Sequence, residues 1–295
     1  MAVYHAGSRA LQDRVGVREV ADHVGRAIGE GIKPVAAAFL ELQPLLVLGA
    51  AAPETGRVWT SALTGAPGFA RATGPHQMSV AGSVRPGDPL TTACATEGTP
   101  LGSIAVDPRT RRRMRLNGRL RPTARGFAVT ADRVFSNCPK YIQRRESYEL
   151  LDDRAPGRSQ TSGELSTAQR RFVLDADTFF VATVHDRGVD VSHRGGNPGF
   201  VRAASPRELI WRDYPGNSMF LTLGNLAADP RAGLLFLDWT TGTTLQLTGE
   251  ARTEFGADGE RRVRFGVTEV VETPSAIPLR WSAPEYSPAN PSPAV

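Results

Sequence analysis

A run of residues from Asp190 to Arg202 places anion-binding side chains beside turn-forming ones. Ser192, His193 and Arg194 follow one another there, and four Gly or Pro positions come soon after them. Hydroxyl, imidazole and guanidinium groups can donate hydrogen bonds to an anion, while Gly and Pro favour tight turns. The run therefore predicts an anion-binding site beside a turn.

Two further polar stretches follow at short range, residues 213–222 and 245–249. We expect residues 189–249 to form the binding part of the molecule, with the rest of the chain arranged around it. The neutral hydrogen-bonding candidates in these two stretches are Asn217, Ser218, Thr222 and Gln246.

Length and composition favour two domains of ordinary size. The chain has 295 residues, of which 40% are apolar, which is enough for two cores rather than one large one. The longest apolar run, Leu45–Ala52, is far shorter than the roughly 20 residues that span a bilayer. Charged residues interrupt the N-terminal stretch, so no signal peptide is expected there. We therefore expect a cytoplasmic protein.

Cysteine and histidine usage gives no sign of a metal site. Cys94 and Cys138 lie far apart and form no CxxC pair, and the five histidines lack metal-ligand spacing. We expect neither a disulfide framework nor a bound metal ion.

The basic character of the chain could indicate a nucleic-acid partner, but its distribution argues against one. The formal net charge is +5 and the pI is about 9.7. Lys33 and Lys140 are the two lysines among 35 basic residues, a bias typical of base composition. The basic residues are spread out except in the run Arg109–Arg115, so we do not expect nucleic-acid binding.

The order of patterns along the chain predicts two β-rich domains. Apolar residues recur at helical spacing from Val17 to Ile28, and Pro34 begins a second helix. Short β-type runs separated by turn residues then suggest a small antiparallel barrel, and the plan repeats after a polar linker. The expected parts are an N-terminal arm and helix (1–34), a first barrel (35–145), a linker (146–164), a second barrel (165–271) and a Pro-rich tail (272–295).

An internal repeat supports this division. A shift of 131 positions places residues 65–72 on 196–203, with the Pro-Gly-Phe phrase in both copies. The same shift, without a gap, matches Gly102 with Gly233 and Gly118 with Gly249. We interpret the chain as a duplication.

The two copies differ in their polar residues. His193 and Arg194 correspond to Ala62 and Leu63, and Gln246 corresponds to Arg115. The first copy keeps the turn glycines and apolar positions that a fold needs. We therefore expect the second copy to carry the site and the first to be mainly structural.

Four motifs together resemble the pyridoxamine 5′-phosphate oxidase-like family of flavin-binding split barrels. The resemblance extends to Tyr4–Gly7 and to Asn137–Gln143, so it covers nearly the whole chain except the tail. It implies a mainly β protein with flanking helices (α+β), built as two tandem six-stranded antiparallel split barrels. The motifs are Ser192–Val201, Asp213–Ser218, Thr222–Asp238 and Leu245–Gly249.

The resemblance implies FMN as the cofactor, held between two barrels. Ser192 and Arg194 would lie at its phosphate or ribityl chain, Asn217, Ser218 and Thr222 would add hydrogen bonds there, and Gln246 would face the ring edge. Many relatives carry Arg or Arg-Lys about where Ser218 and Met219 stand. Without that pair, the phosphate charge would rest on Arg194, on Arg202 or on the hairpin Arg111–Arg113 of the first barrel.

Four features allow a second interpretation. Strand alternation puts His193 on the opposite face from its neighbours, so it is either a site residue or an ordinary histidine. Lys140 is either a needed ammonium at the cofactor or part of a helix cap. Cys138 reads as a structural thiol. The run Arg109–Arg115 falls on a hairpin, where exposed turn charge is the default.

The leading functional hypothesis is an FMN-dependent oxidoreductase with an undetermined small-molecule substrate and NAD(P)H as a candidate electron donor. The alternatives are a non-catalytic flavin- or haem-binding carrier or sensor, and a reductase that uses F420. A fused tandem would form the barrel pair within one chain, and a homodimer of such chains stays open.

Overall fold

The computed structural model describes residues 3–186, 188–257 and 259–291. Its first part contains three helices before any strand: α1 (Ala6–Arg14), α2 (Arg18–Gly25) and α3 (Pro34–Glu41). The sequence pattern predicted the second and third but gave no helix for residues 6–14. That stretch has few apolar residues, so its sequence shows no helical periodicity. One of them, Leu11, is buried in the core of the second barrel, a tertiary contact that the local sequence does not reveal.

The first barrel is a seven-stranded antiparallel sheet. Its strands pair in the order β2-β1-β5-β6-β7-β4-β3. The elements are β1 (Leu45–Ala51), β2 (Val58–Thr64), β3 (Ala70–Gly74), β4 (Gln77–Ala81), α4 (Thr91–Ala95), β5 (Pro100–Asp107), β6 (Arg112–Thr123) and β7 (Gly126–Ser136).

The segment between the barrels holds two short strands, β8 (Tyr148–Leu150) and β9 (Gln160–Ser162). The helix α5 (Thr167–Asp175) follows them. Its N-cap is Ser166, whose hydroxyl accepts from the Gln169 amide while the Gln169 side chain accepts from the Ser166 amide. This reciprocal capping box sets the N-terminal end of α5, the helix that precedes the first strand of the second barrel.

The second barrel repeats the first. Its main path runs β11-β10-β14-β15-β16-β13-β12, with β9 added alongside β16, and β17 pairs with β8. The elements are β10 (Thr178–His185), β11 (Gly188–Gly195), β12 (Val201–Ser205), β13 (Glu208–Arg212), α6 (Leu221–Ala228), β14 (Arg231–Leu237), β15 (Thr244–Phe255), β16 (Arg261–Thr273) and β17 (Leu279–Trp281).

Corresponding irregularities recur in the two sheets. The β3–β4 register shifts between Ala72 and Gly74, and the β12–β13 register shifts between Ala203 and Ser205, which are 131 positions later. The β6–β7 shift after Asn117 likewise has its counterpart after Thr248. The prediction of a mainly β chain with two tandem split barrels is therefore confirmed, and the two sheets contain seven and eight strands where six per barrel were expected.

Each barrel has its own core, and a third core joins them. Along β1, Leu46 and Leu48 point into the first barrel, while Leu45 and Val47 pack between the barrels with Phe180 of β10. Strands buried on both faces account for the unbroken apolar runs in the sequence. The helix α6 was not predicted, because its apolar residues are buried around most of its circumference and show no clear periodicity.

Two glycines allow the barrels to approach closely. A Cβ on Gly102 would lie 2.9 Å from the Val189 carbonyl oxygen, and one on Gly233 would lie 2.6 Å from the Val58 carbonyl oxygen. These residues occupy the same position in the two copies. Their identity is thus explained by backbone contact between the barrels.

Candidate functional site

A cleft lies between the two barrels at the edge strand β11. Its walls are β11, the segment from Asp213 into α6, the N-terminal end of β6 and the segment Asn137–Tyr141. The space not filled by atoms is about 910 Å³, counting open solvent at the mouth.

Three polar residues of β11, Ser192, His193 and Arg194, line the cleft. Ser192 Oγ accepts a hydrogen bond from Arg115 Nη2 at 2.7 Å, and His193 Nδ1 accepts one from Arg113 Nη1 at 2.9 Å. Arg194 Nη1 donates to Asp213 Oδ1 at 2.6 Å. Because β11 is an edge strand, the cleft reaches both of its faces, so strand alternation does not remove His193 from it.

The loop before α6 forms a second wall. Asn217, Ser218 and Thr222 all line the cleft, and Asn217 Oδ1 accepts from the Met219 amide at 3.2 Å. Ser218 and Phe220 have φ of 61° and 53°. Left-handed backbone costs about 1–2 kcal/mol for a residue with a side chain. Two such residues in one loop are typical of a functional segment.

The segment after β7 closes the cleft from the side of the first barrel. Lys140 lines it, is exposed, and makes no ion pair or hydrogen bond with any residue that the structure describes. Tyr141 packs against Tyr214 with ring centroids 5.2 Å apart, and its hydroxyl donates to the Pro215 carbonyl at 2.8 Å. The segment therefore brings a free ammonium to the mouth of the cleft.

Gln246 does not lie in this cleft, contrary to the expectation that it faces the same site as Ser192. It is 1% exposed, and its Nε2 donates to Ser61 Oγ at 2.9 Å and to the Thr60 carbonyl at 3.0 Å. Ser61 and Thr60 belong to the first barrel. The strand β15 thus serves the opposite barrel, and the cleft at β11 receives the matching residue of β6, Arg115.

Arg113 and Arg115 were not among the candidate site residues, although the hairpin ending at Arg113 was considered as a source of charge. The default interpretation of Arg109–Arg115 as exposed turn charge is wrong for both. Each is held against the second barrel, where Arg115 is 6% exposed. Arg115 and Gln246 occupy equivalent positions in the two copies. If each barrel is assumed to contribute residues to the other's site, this equivalence identifies Arg115 as a site residue. Arg202 does not line the cleft.

The cleft holds more positive than negative charge. Arg115 pairs with Asp190 at 2.8 Å, and Arg194 shares Asp213 with Arg261. Arg113 has no carboxylate partner among the described residues. Burial, together with Arg115 and Arg194 nearby, lowers the pKa of Arg113 to about 9, so it stays protonated at neutral pH.

Several buried donors in the cleft lack a hydrogen-bond partner. They are the Nε atoms of Arg113, Arg115 and Arg194, and the Asn137 Oδ1 acceptor is also unpartnered. Leaving a buried polar group without a partner costs about 1–3 kcal/mol. Burial and the three arginines lower the pKa of His193 well below its usual value, so its imidazole is neutral and accepts from Arg113. The guanidinium groups that line the cleft would attract an anion.

The equivalent cleft on the first barrel has different chemistry. It is lined by Leu63, Asp88 and Gln246, where the other cleft has Arg194, Met219 and Arg115. Asp88 Oδ1 accepts from Ser61 Oγ at 2.6 Å and from the Leu90 amide at 2.9 Å. Burial raises the pKa of Asp88. Arg85 also lines this cleft, and its guanidinium donates to the Ser159 and Thr273 hydroxyl groups.

Comparison with protein families and solved structures gives one family match. The family model described as pyridoxamine 5′-phosphate oxidase matches residues 165–292. A comparison with curated protein sequences gives no match.

The similar solved structures each cover less than two fifths of this chain. A single-residue variant of HupZ from Group A Streptococcus is 13% identical with a TM-score of 0.31, over 37% of this chain and 98% of its own. An FAD-binding protein from Mesorhizobium loti is 15% identical with a TM-score of 0.29, over 39% and 97%. The FAD-binding protein from Mycobacterium smegmatis is 13% identical with a TM-score of 0.27, over 39% and 98%.

No helix in the described part of the chain combines the length and the apolar character needed to cross a membrane.

Proposed function

We propose that the cleft at β11 binds FMN and that the chain is an FMN-dependent oxidoreductase, a proposal supported by the match of residues 165–292 to the family model described as pyridoxamine 5′-phosphate oxidase. The observation that carries the proposal is the surplus of guanidinium groups that line this cleft. Arg113, Arg115 and Arg194 all line it, and Arg113 lacks a carboxylate among the described residues. A phosphate dianion matches such a set of donors.

The residues that would hold the phosphate and ribityl chain come from both barrels. Arg194 and Ser192 are supplied by β11, Arg113 by β6, and Lys140 by the segment after β7. Asn217, Ser218 and Thr222 would add neutral hydrogen bonds from the loop before α6. These cations take the place of the Arg or Arg-Lys pair that relatives carry near Ser218.

The ring would be bound by residues that orient it and exclude water. Arg115 and Asn137 replace Gln246 as the candidates for its polar edge, since both line the cleft and keep an unpartnered polar atom. Trp211, Phe200 and Leu223 give the cleft apolar lining. When bound, the flavin supplies the hydride and electron transfer, and the protein supplies position and charge.

The proposal includes one cofactor per chain and an intramolecular barrel pair. The equivalent cleft carries Asp88 and lacks counterparts of Arg113 and Arg194, which disfavours a second phosphate. The division at residues 146–164 into two duplicated barrels is part of the proposal, and the matching register shifts support it. NAD(P)H is the proposed electron donor.

The test is a titration of the flavin-free chain with FMN, in which quenching of the flavin fluorescence measures binding. We expect saturation at one FMN per chain. Arg194→Ala should weaken binding about ten- to a hundredfold, since a charge-assisted hydrogen bond contributes about 1.5–3 kcal/mol. Arg194→Lys should weaken it less. Arg85→Ala, in the equivalent cleft, is the matched control.

The same titration distinguishes the alternatives. Uptake of haem or F420 in preference to FMN, or no uptake of FMN at all, would overturn the proposal. His193 is buried and its Nδ1 is engaged by Arg113, which disfavours it as an axial haem ligand. Consumption of NAD(P)H by the FMN-loaded chain would then separate an oxidoreductase from a carrier.

A further inference from the structure

A second cavity, here called the side cavity, lies next to the cleft on the first barrel. Its space not filled by atoms is about 730 Å³, counting open solvent at its mouth, and it is enclosed by α3, the β5–β6 hairpin and the segment after β7. It shares Arg113 and Asn137 with the cleft, so these two side chains form the wall between the two spaces. Neither the repeat nor the proposed flavin site accounts for it.

The side cavity has one apolar surface. Val35, Ala36 and Phe39 of α3 form it together with Met114 of β6 and Pro139. Val35 is 63% exposed although it is a large apolar residue. Phe39 and Met114 are buried beneath this surface, so a flat organic molecule would contact Val35, Ala36 and Pro139.

The other surface carries positive charge. Arg111, Arg112 and Arg113 line the side cavity, and no Asp or Glu does so among the residues the structure describes. Arg112 makes no ion pair or hydrogen bond within those residues, and its guanidinium lies over the Phe39 ring at 5.5 Å from the centroid. Arg113 keeps an unpartnered Nε. Two guanidinium groups are thus left without an anion in this part of the structure.

The hairpin that carries these arginines is held in place. Arg111 Nε donates to the Ile142 carbonyl at 3.1 Å, and its Nη2 donates to Glu285 Oε1 at 2.9 Å. Arg111 has φ of 52° where the second copy has Gly242 at 72°. The hydrogen bonds that Arg111 makes to Ile142 and Glu285 offset this backbone strain and hold the hairpin in place. The neighbouring guanidinium groups are therefore positioned before any ligand arrives.

We propose that the side cavity binds a small organic anion with an aromatic body. The anionic group lies between Arg112 and Arg113, and the aromatic body lies on Val35, Ala36 and Pro139. Flat guanidinium groups that lack carboxylates recognise such anions. The site shares Arg113 with the proposed flavin site, whereas Arg112 and Val35 line the side cavity and not the cleft.

The test uses 8-anilinonaphthalene-1-sulfonate, an aromatic anion that fluoresces in apolar surroundings, with the full flavin-free chain. We expect saturable binding of one probe per chain. Arg112→Ala should weaken it about three- to tenfold, since one charge-assisted contact is lost. Val35→Glu, which puts a carboxylate at the rim, should weaken it at least about tenfold. Both residues are exposed, so both variants should keep the circular dichroism spectrum.

Matched controls are available on the same elements. Arg119→Ala lies on β6 away from the side cavity, and Leu42→Glu follows α3 at a position that is 61% exposed. Both should leave probe binding unchanged. The neutral analogue N-phenyl-1-naphthylamine should bind Arg112→Ala and the unmodified chain equally.

Two results would overturn the proposal. One is probe affinity that Arg112→Ala and Val35→Glu do not change. The other is probe affinity that Arg194→Ala lowers as much as Arg112→Ala does, which would place the probe in the cleft. Arg194→Ala separates this proposal from the flavin proposal, because it should impair FMN binding and leave probe binding intact.

Discussion

The cleft depends on a buried ion pair that crosses between the barrels. Arg115 of β6 bonds Asp190 and Ser192 of β11, and Asn117 Nδ2 donates to the other oxygen of Asp190 at 2.9 Å. Desolvation of both charges is costly, so the pair adds little net stability. Removing one partner, however, leaves the other charge buried and uncompensated.

Arg115→Gln, which gives the first copy the residue of the second, should lower the free energy of unfolding by about 3–5 kcal/mol. The cause is the Asp190 carboxylate, which would keep only Asn117 as a side-chain donor. Urea unfolding at pH 7 measures the loss. Adding Asp190→Asn to this variant removes the buried charge and should recover most of the stability. A single variant as stable as the unmodified chain would contradict the argument.

His193 should make stability depend on pH. Its pKa in the folded chain is lowered by burial and by Arg113, whereas in the unfolded chain it is about 6.5. The unfolded chain therefore binds more protons below about pH 6.5, and stability is lost as the pH falls from there towards the folded pKa.

In the flavin-free chain, the loss of unfolding free energy between pH 7.5 and 5.5 should be about 1 kcal/mol smaller in His193→Gln than in the unmodified protein. Urea unfolding at the two pH values gives the comparison. His76→Gln, which changes an exposed histidine of the first barrel, should keep the full loss. Equal pH dependence in all three proteins would exclude the role of His193.

At the scale of elements, α1 supports the loop that lines the cleft. Gln12 Nε2 donates to the Met219 carbonyl at 2.9 Å, and α1 packs directly on α6. The packing needs glycine: a Cβ on Gly224 would lie 2.3 Å from Ser8 Oγ and 2.6 Å from Ser8 Cα. The N-terminal helix thus holds an element of the second barrel.

Gly224→Ala should push α1 away from α6. Overpacking of this kind costs about 1–3 kcal/mol, and the better helix propensity of Ala returns up to about 1 kcal/mol. We expect a net loss of stability and faster tryptic cleavage at Arg9 and Arg14. Gly163→Ala, where a Cβ meets nothing within 4 Å, is the control. Unchanged cleavage in Gly224→Ala would show that the helices do not depend on this contact.

Sequence reasoning succeeded for elements whose signal is local. Most strands of both barrels follow from short β-type runs between turn residues. It failed for α1 and α6, because each is defined by contact with the other rather than by its own periodicity. For the candidate site, Ser192, Arg194 and Ser218 could be named because they lie within the motifs of a single barrel. Arg115 was missed and Gln246 was misplaced, because their positions depend on which barrel each strand faces.

At the scale of the whole molecule, the shared core should make the barrels unfold together. Leu45 and Val47 of one barrel and Phe180 and Leu235 of the other are buried in a single cluster. Neither barrel can unfold alone without exposing this apolar surface, which costs about 25 cal/mol per Å².

Denaturant unfolding should therefore show one transition. In Trp59→Phe the remaining tryptophans, Trp211, Trp239 and Trp281, all report on the second half of the chain. Their fluorescence should change at the same urea concentration as the circular dichroism of the whole molecule. Separate midpoints would mean that the shared core does not couple the barrels.

Arg115 of β6 and Gln246 of β15 each reach a pocket on the opposite barrel. This arrangement lets the two pockets differ in charge. In a symmetric pair of identical chains, every residue at the junction occurs twice, so a charge suited to one ligand is imposed on both pockets. Here Arg115 and Gln246 are separate positions, and one pocket carries guanidinium groups while its twin carries the Asp88 carboxyl. In a single chain that contains both halves, a charge in one pocket does not have to be repeated in the other. Under the proposed function, the consequence is one ligand site per pair of barrels instead of two.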